Sequence, residues 1–300
     1  MTMQEQPAKK KITFIVNPAS GPNRNRSEEM PELIEKYLDQ SIYDWNIVNN
    51  SAVGEGISLS KEAAEQGRDI IVAVGGDGTV NEVARGLAGT QAILGIIPSG
   101  SGNGLARYLG IPIDLAQSIA LLNSGKSRKI DTVSINENLF LSIAGVGFDA
   151  LVADKFAEAN HRGFFSYFRI ASREYPYYKP RTYIMEIDGQ IIKRRALFIS
   201  FANSDQFGYN TTIAPTADIS DGLLDVCIVS KIPIFKAPLV ATMLIAKKID
   251  QSRYVEIIKA GQVSLRRRKN EVINIDGEPV MLTRDLFIKV NHLALEVLVP

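Results

Sequence analysis

Ile70-Ile71-Val72-Ala73-Val74-Gly75-Gly76-Asp77-Gly78-Thr79-Val80-Asn81-Glu82 reads as strand, tight turn and helix. Ile70 to Val74 has the length and β-branching of a strand buried on both faces. Val80, Val83, Ala84 and Leu87 fall at i, i+3, i+4 and i+7, the spacing of a helix with one apolar stripe. The turn between them holds three glycines and one carboxylate. Glycine lets another molecule approach the backbone closely, and a helix start points N–H groups at whatever lies above it, so the turn suits a phosphate. Asp77 would repel a bare phosphate, but a divalent cation or a substrate hydroxyl sharing the site accommodates it. The alternative is an ordinary β-α turn in which Asp77 only caps the helix.

The alternation continues on both sides. Lys11 to Val16 is a β-branched strand running into Asn17-Pro18-Ala19-Ser20-Gly21, and Met30, Leu33, Ile34, Tyr37 and Leu38 follow at helical spacing, with Arg24 and Arg26 near the helix start. Then come strand Trp45 to Asn49, helix Ile57 to Gln66 and, beyond the central unit, strand Ile93 to Ile97 with the turn Pro98-Ser99-Gly100-Ser101-Gly102-Asn103-Gly104. Strands alternating with helices predict an α/β fold with a doubly wound, Rossmann-like parallel sheet, whose ligand lies at the carboxyl ends of the strands. The three glycine-bearing turns would then share one edge. The alternate glycines of the third lack the spacing of a dinucleotide fingerprint. Ser124-Gly125-Lys126-Ser127 is read as a helix end, because Ala120 stands where a P-loop needs its first glycine.

After Ile130 the period changes. Ile130 to Ile135 alternates, Asp188-Gly189 is a hairpin signal, and strand-like runs recur at Leu197 to Ala202, Leu223 to Ser230, Val263 to Arg268 and Val272 to Ile275. Helical stretches are expected near Phe148 to Ala159, Phe165 to Tyr178 and Phe235 to Lys247. The expected organisation is a tail over 1–10, an α/β domain over 11–130 and a mostly antiparallel domain over 131–287, with 288–300 able to return to the first.

Composition sets outer bounds. A chain of 300 residues, 45% of them hydrophobic, can bury two cores, and a net charge of +1 offers no global attraction to nucleic acid. The single cysteine, Cys227, excludes an internal disulfide framework and fits a reducing compartment, so the cytoplasm is expected. The N-terminus is too polar for a signal peptide, and the longest uncharged apolar stretch, Ala237 to Ala246, is too short to span a bilayer. Any membrane contact is therefore expected to be peripheral, on the inner face. The two histidines, His161 and His292, are expected in solvated positions, and no Ser-His-Asp or HExxH arrangement can be built on them. Acid-base chemistry must rest on carboxylates.

Five motifs in order now carry a resemblance. Asn17-Pro18-Ala19-Ser20-Gly21, Gly75-Gly76-Asp77-Gly78-Thr79 with Asn81-Glu82, Gly100-Ser101-Gly102-Asn103 with Ala106-Arg107, Ala214 to Asp225, and Ile275-Asp276-Gly277-Glu278 resemble the catalytic domain shared by diacylglycerol, sphingosine and ceramide kinases and their bacterial relatives. The resemblance implies an NAD kinase- and diacylglycerol kinase-like first domain and a β-sandwich-like second one. It implies an ATP- and Mg²⁺-dependent lipid kinase acting on a diacylglycerol-like or sphingoid hydroxyl at a membrane surface. Residue by residue, it places Asn17, Pro18, Ala19, Ser20, Gly21, Asn50, Gly75, Gly76, Asp77, Gly78, Thr79, Val80, Asn81, Glu82 and Ser101 around the nucleotide. Asp77 would act with magnesium near the transferred phosphate, and Glu278 would be the proton acceptor. Asp218, Asp221 and the Leu223 carbonyl would hold a structural magnesium, with Arg107 and Asp131 in the supporting network. A homodimer is compatible with this reading and nucleic acid is not a partner. Two positions depart from the bacterial pattern: Asn103-Gly104 stands where Asn-Asp is usual, which leaves the lipid class open, and Asn50 replaces a common Thr. An NAD-kinase-like or other soluble-acceptor phosphotransferase and a catalytically silent nucleotide-binding regulatory protein are the alternatives.

The chemistry agrees independently. Phosphoryl transfer needs positioning and charge neutralisation more than covalent catalysis, so backbone N–H groups, a cation, an arginine and a carboxylate suffice. Asp218 and Asp221, at i, i+3 before a strand, offer hard oxygens of the kind Mg²⁺ takes, although Asp-rich turns also occur without metal. Phe164, Phe165, Tyr167, Phe168, Tyr175, Tyr177 and Tyr178, interspersed with Arg162, Arg169, Arg173, Lys179 and Arg181, read either as core packing beside a basic face or as a mouth for an acyl chain at a membrane surface. Arg266-Arg267-Arg268-Lys269 is a second candidate for a basic membrane-facing surface, although such runs are usually just solvated.

Overall fold

The computed structural model describes residues 8–18, 20, 26–159, 163–208 and 211–300. Ala19 and Gly21, expected at the nucleotide, and Arg24, His161, Arg162 and the Phe164 side chain lie outside the described residues. The chain divides into two compact units, one made of Met1–Gly100, Gly110–Arg128 and Leu295–Pro300, the other of Ser101–Leu109 and Lys129–Ala294.

The first unit follows the alternating pattern: β1 (Lys10–Val16), α1 (Arg26–Tyr37), β2 (Tyr43–Asn49), α2 (Glu55–Glu65), β3 (Ile70–Gly75), α3 (Asp77–Leu87) and β4 (Ile93–Pro98). After α4 (Gly104–Tyr108), which belongs to the second unit, α5 (Leu115–Ser124) returns to the first. The strands are parallel in the order β2-β1-β3-β4. Ile70 to Val74 are each no more than 2% exposed, as a strand covered on both faces requires. Phe14, Val72, Val74 and Ile97 pack under Met30 and Ile34 of α1 and Ile119 and Leu122 of α5. On α3, Val80, Val83, Ala84 and Leu87 are buried as their spacing predicts, and a Cβ on Gly86 would run into the Ser60 hydroxyl and the Ile57 carbonyl of α2. That glycine lets the two helices touch backbone to backbone. The helix ending at Ser124 is closed by the Gly125 N–H on the Leu121 carbonyl, 2.7 Å, as the sequence indicated.

The second unit is built from β5 (Lys126–Ile135), whose first residues belong to the first unit, β6 (Asn138–Phe140), β7 (Ile143–Gly147), α6 (Phe148–Ala157), α7 (Phe164–Glu174), β8 (Arg181–Ile187), β9 (Gln190–Ala196), β10 (Phe198–Ala202), β11 (Gln206–Gly208), β12 (Thr211–Thr212), β13 (Leu224–Val229), α8 (Ala237–Ile245), β14 (Val255–Ala260), β15 (Gln262–Arg266), β16 (Glu271–Ile275), β17 (Glu278–Leu282) and β18 (Asp285–Val299). One antiparallel sheet runs β14-β13-β10-β7-β16-β17 and a second pairs β18-β15-β8-β9. Phe201, Val226 and Ile273 of the first sheet share a core with Met185, Val263 and Ile288 of the second, which makes this unit a sandwich. The Asp188-Gly189 hairpin between β8 and β9 has both residues at positive φ, 44° and 84°, the geometry of a tight two-residue turn. The end of β18 belongs to the first unit, where Val297 pairs in parallel with Leu94 of β4.

Candidate active site

Adjacent parallel strands deliver their carboxyl ends side by side, and the backbone hydrogen bonds continue past them. The Asn50 N–H donates to the Val16 carbonyl (2.8 Å), Asn17 to Val74 (3.0 Å) and Ser99 to Gly75 (2.9 Å). The glycine-bearing turns after β1, β3 and β4 therefore do lie along one edge as far as Gly100. Gly76 stands where a Cβ would approach the Gly100 Cα to 3.2 Å, and a Cβ on Gly75 would strike the Thr79 side chain. Thr79 is buried, and its hydroxyl receives the Asn17 side-chain amide at 3.2 Å. Helix α3 begins at Asp77 with Gly76, which has no side chain to cap it, in the capping position, so the backbone N–H groups of its first turn point along the helix axis toward the glycine edge.

Glu82 points back from α3. Its carboxylate accepts from Gly54 N (2.7 Å), Gly56 N (3.2 Å) and the Asn50 amide (2.9 Å), holding the start of α2 and the end of β2 to the same edge. Glu82→Ala is expected to lower the melting temperature, because two backbone N–H groups and the Asn50 amide lose a charged acceptor, and, with the nucleotide where the resemblance puts it, to raise the KM for ATP by about tenfold with little change in kcat. An unchanged KM would show that the loop does not touch nucleotide.

In the second unit Ser101 and Arg107 are exposed, and the Arg107 Nε donates to the Gly102 carbonyl at 3.1 Å. Asn103 is buried at φ 52° and opens α4. The Tyr108 hydroxyl donates to the Ala217 carbonyl (3.2 Å) and accepts from Ile219 N (3.3 Å), so α4 is pinned to the acidic turn. In that turn Asp218 accepts from the Ser220 N–H and hydroxyl at 3.0 and 2.7 Å. Asp221 accepts from Leu223 N (2.9 Å) and pairs with Lys259 at 2.8 Å. The neighbouring Asp225 is 1% exposed and neither carboxylate oxygen has a hydrogen-bond partner; burial pushes its carboxyl up even though Lys259 lies 3.8 Å away and pulls it down.

Asp131 is fully buried and accepts from Gly222 N (2.7 Å), Leu293 N (2.6 Å) and the His292 ring (2.8 Å). It thus fixes the acidic turn against the last strand. His292, expected in a solvated position, is only half exposed and is tied to that carboxylate. The Asn203 side-chain amide, also fully buried, donates to the Asp131 and Leu141 carbonyls at 3.0 and 2.8 Å. Leu141 in turn leads to Asp276, whose carboxylate accepts from Leu141, Ser142 and Ile143 N–H groups at 2.8 to 2.9 Å. Asp276 and Gly277, at φ 46° and 92°, form the two-residue turn between β16 and β17, and exposed Glu278 is the first residue beyond it.

A second prop comes from beneath. Asn274 accepts from Gly277 N (2.9 Å) and donates to Asp149 (3.0 Å), which also receives the Tyr167 hydroxyl at 3.3 Å. Burial pushes the Asp149 carboxyl up to about 6, against the two hydrogen bonds that lower it. A carboxyl raised in the fold holds more protons folded than unfolded, so its contribution to stability is greatest below the unfolded pKa and is lost as pH rises to about 6. Stability is expected to fall by about 2 kcal/mol between about pH 4 and pH 6 on this account, and Asp149→Asn should flatten that slope in urea titrations. A slope unchanged in the variant would assign it to other groups.

The aromatic cluster divides. Tyr167, Tyr175 and Tyr178 pack with Phe148 and Leu197, whereas Phe165, Phe168 and Tyr177 stand exposed. The basic run is not wholly solvated: Arg267 is buried, donates to the Glu271, Leu282 and Thr283 carbonyls, and is pushed down by burial. Backbone carbonyls from a neighbouring turn drew it inward, which a charge run in sequence cannot reveal. Asn203, Tyr108, Asn274 and Asp149 carry this site without having been singled out in the sequence; only Asp276 lay inside a quoted motif.

Residues 11–135 match the diacylglycerol kinase catalytic domain, and residues 142–299 match the YegS C-terminal NAD kinase beta sandwich-like domain. The chain therefore belongs to the diacylglycerol kinase-like family of lipid kinases. It is 29% identical over 274 residues to a diacylglycerol kinase of Bacillus subtilis, covering 90% of each protein, and 26% identical over 276 residues to one from Staphylococcus aureus, covering 90% of this chain and 86% of the relative. The crystal structure of a diacylglycerol kinase from Bacillus anthracis aligns with a TM-score of 0.71 at 20% identity over 97% of both chains, a likeness of fold. A kinase of this family takes its phosphate from ATP. Among the described residues no helix is long and apolar enough to cross a membrane.

Proposed function

We propose that this chain transfers the γ-phosphate of ATP to the hydroxyl of a diacylglycerol-like lipid, with Mg²⁺, at a membrane surface. The observation that carries this is the glycine edge, where Gly76 closes on Gly100 beside the first turn of α3. Such an edge binds a polyphosphate through backbone N–H groups and excludes side chains that would keep it away. The nucleotide lies along Asn17 to Gly21, Asn50, Gly75 to Glu82 and Ser101. Asp77 works beside the transferred phosphate and Glu278 accepts the proton of the lipid hydroxyl, with Arg107 and Asp131 as support. A diacylglycerol is favoured over a sphingoid base because the curated relatives described above are named diacylglycerol kinases. The first domain, 11–130, would serve the nucleotide and the second, 131–287, the lipid and metal.

The acidic turn fits a divalent cation. Asp218, Asp221 and Asp225 surround a single ammonium, Lys259, and the buried Asp225 oxygens lack hydrogen bonds, so negative charge is left over. Among the described residues no three His, Cys, Asp or Glu side chains enclose a metal by themselves. Two carboxylates, the Leu223 carbonyl and water would complete the set, as Mg²⁺ commonly requires. When bound there, the ion supplies charge compensation that orders the turn. Asp77 would hold a second Mg²⁺ that neutralises phosphate charge.

The test is transfer of label from γ-labelled ATP into an organic-extractable product, with and without EDTA. Mg²⁺-dependent labelled lipid is expected. Label found only in inorganic phosphate or in a water-soluble acceptor would contradict the proposal.

A further inference from the structure

Helix α8 has the sequence Ala237-Pro-Leu-Val-Ala-Thr-Met-Leu-Ile245, apolar on every face apart from one threonine. A short helix of that kind is ordinarily buried on all sides. Here Val240 is buried and Met243 and Leu244 pack on the core, but Leu239 is 63% and Ile245 65% exposed. The turn leading into the helix adds Ile234 and Phe235, 65% and 79% exposed. Four large apolar side chains standing outward within twelve residues need a cover that the described residues do not supply.

The charges around them say what that cover is. Residues 231–253 carry Lys231, Lys236, Lys247, Lys248 and Arg253 against one acid, Asp250, a net of +4 in a chain whose total is +1, and +3 once the pairing of Lys247 with Asp205 at 2.8 Å is counted. Lys236 lies over the Phe235 ring at 5.8 Å, an ammonium beside the aromatic it would accompany into a headgroup layer. The segment is fastened to the residues that follow α7: Ile232 N donates to the Tyr175 hydroxyl at 2.8 Å, and Lys231 donates to the Tyr178 carbonyl at 2.7 Å.

We propose that Ile234 to Ile245 is an interfacial anchor that docks the protein on an anionic phospholipid bilayer, with Phe235, Leu239 and Ile245 in the acyl boundary and Lys236 and Lys248 at the headgroups. At nine residues α8 rises about 14 Å, long enough to lie in the interface and too short to span it. A second copy of the chain would have to bring acidic groups to the same face, and a basic apolar surface does not complement itself. The anchor rests on the lipid-kinase reading only for its purpose, since vesicle binding can be measured without turnover.

The experiment is co-sedimentation of the full chain with phosphatidylglycerol–phosphatidylcholine vesicles, comparing wild type with Phe235→Glu/Leu239→Glu. Both sites are exposed, so the melting temperature should hold. The variant should lose vesicle partitioning by about tenfold or more, while still phosphorylating a short-chain, monomerically dissolved diacylglycerol. Phe235→Trp should bind as wild type does and shift its emission to the blue on adding vesicles. Wild-type partitioning by the double variant, or no blue shift from Trp at 235 in vesicles that bind the protein, would overturn the anchor. So would conversion of a wild-type dimer to a monomer with vesicle binding intact, because a second copy would then own the face. Failure of wild type to phosphorylate the soluble acceptor would count against the kinase reading and leave the binding result standing.

Discussion

Glu278→Gln is expected to lower turnover by about 10²- to 10⁴-fold, the range in which a positioned base contributes, while ATP affinity and melting temperature stay near wild type. Glu278 is exposed at the tip of the β16–β17 hairpin and its side chain makes no hydrogen bond or ion pair among the described residues, so removing its charge should not disturb the fold. Its backbone, by contrast, is held firmly. Asp276 and Asn274 fix the turn from two directions, and Pro279 follows immediately to limit the strand that carries it. A proton acceptor benefits from that arrangement: the carboxylate remains free to meet a hydroxyl while its Cα is constrained. Glutamine keeps the size and cannot take the proton, so a Gln variant retaining more than about a tenth of wild-type turnover would remove Glu278 from the role.

The second large effect is on stability. Asp276→Ala should destabilise the protein by more than about 3 kcal/mol in urea unfolding, because three backbone N–H groups lose a charged acceptor at once and alanine must adopt φ near +46°. Asp276→Asn tolerates that φ and keeps one acceptor oxygen, so about half of the loss should be recovered. Any folded fraction of the alanine variant should show a lower kcat with little change in the KM for ATP, since the hairpin that moves is the one bearing Glu278. A loss below about 1 kcal/mol would mean that the turn is held by other contacts.

What was legible in the sequence was whatever is local. The buried run Ile70–Val74, the i, i+3, i+4, i+7 stripe on α3 and the Asp188-Gly189 turn each express their geometry within a dozen residues, and each is found as read. Helix limits shifted modestly: the stretch expected as helix from Phe235 to Lys247 is α8 only from Ala237 to Ile245, with Ile234–Lys236 in a tighter turn after Pro233. The polar framework of the second unit was not legible, because its members meet across the chain. Asp276 bonds Leu141 at a separation of 135 residues, Asn274 bonds Asp149 at 125, and Asn203 bonds the Asp131 carbonyl at 72. No periodicity marks such residues; a buried Asn at a strand end looks the same in sequence as a solvated one. The apolar character of 237–246 was visible, but whether its outer face would be covered depends on the packing of β13 and β14 beside it.

The most direct measurement is the phosphorylation of a lipid panel, with diacylglycerol, monoacylglycerol, sphingosine and ceramide in mixed micelles and NAD as a soluble control, by wild type, Asp77→Ala and Glu278→Gln in parallel. Label in diacylglycerol, absent from NAD and lost in both variants, is the predicted result. Label in NAD, or equal labelling of diacylglycerol by wild type and both variants, would contradict the assignment of this chain's chemistry to Asp77 and Glu278.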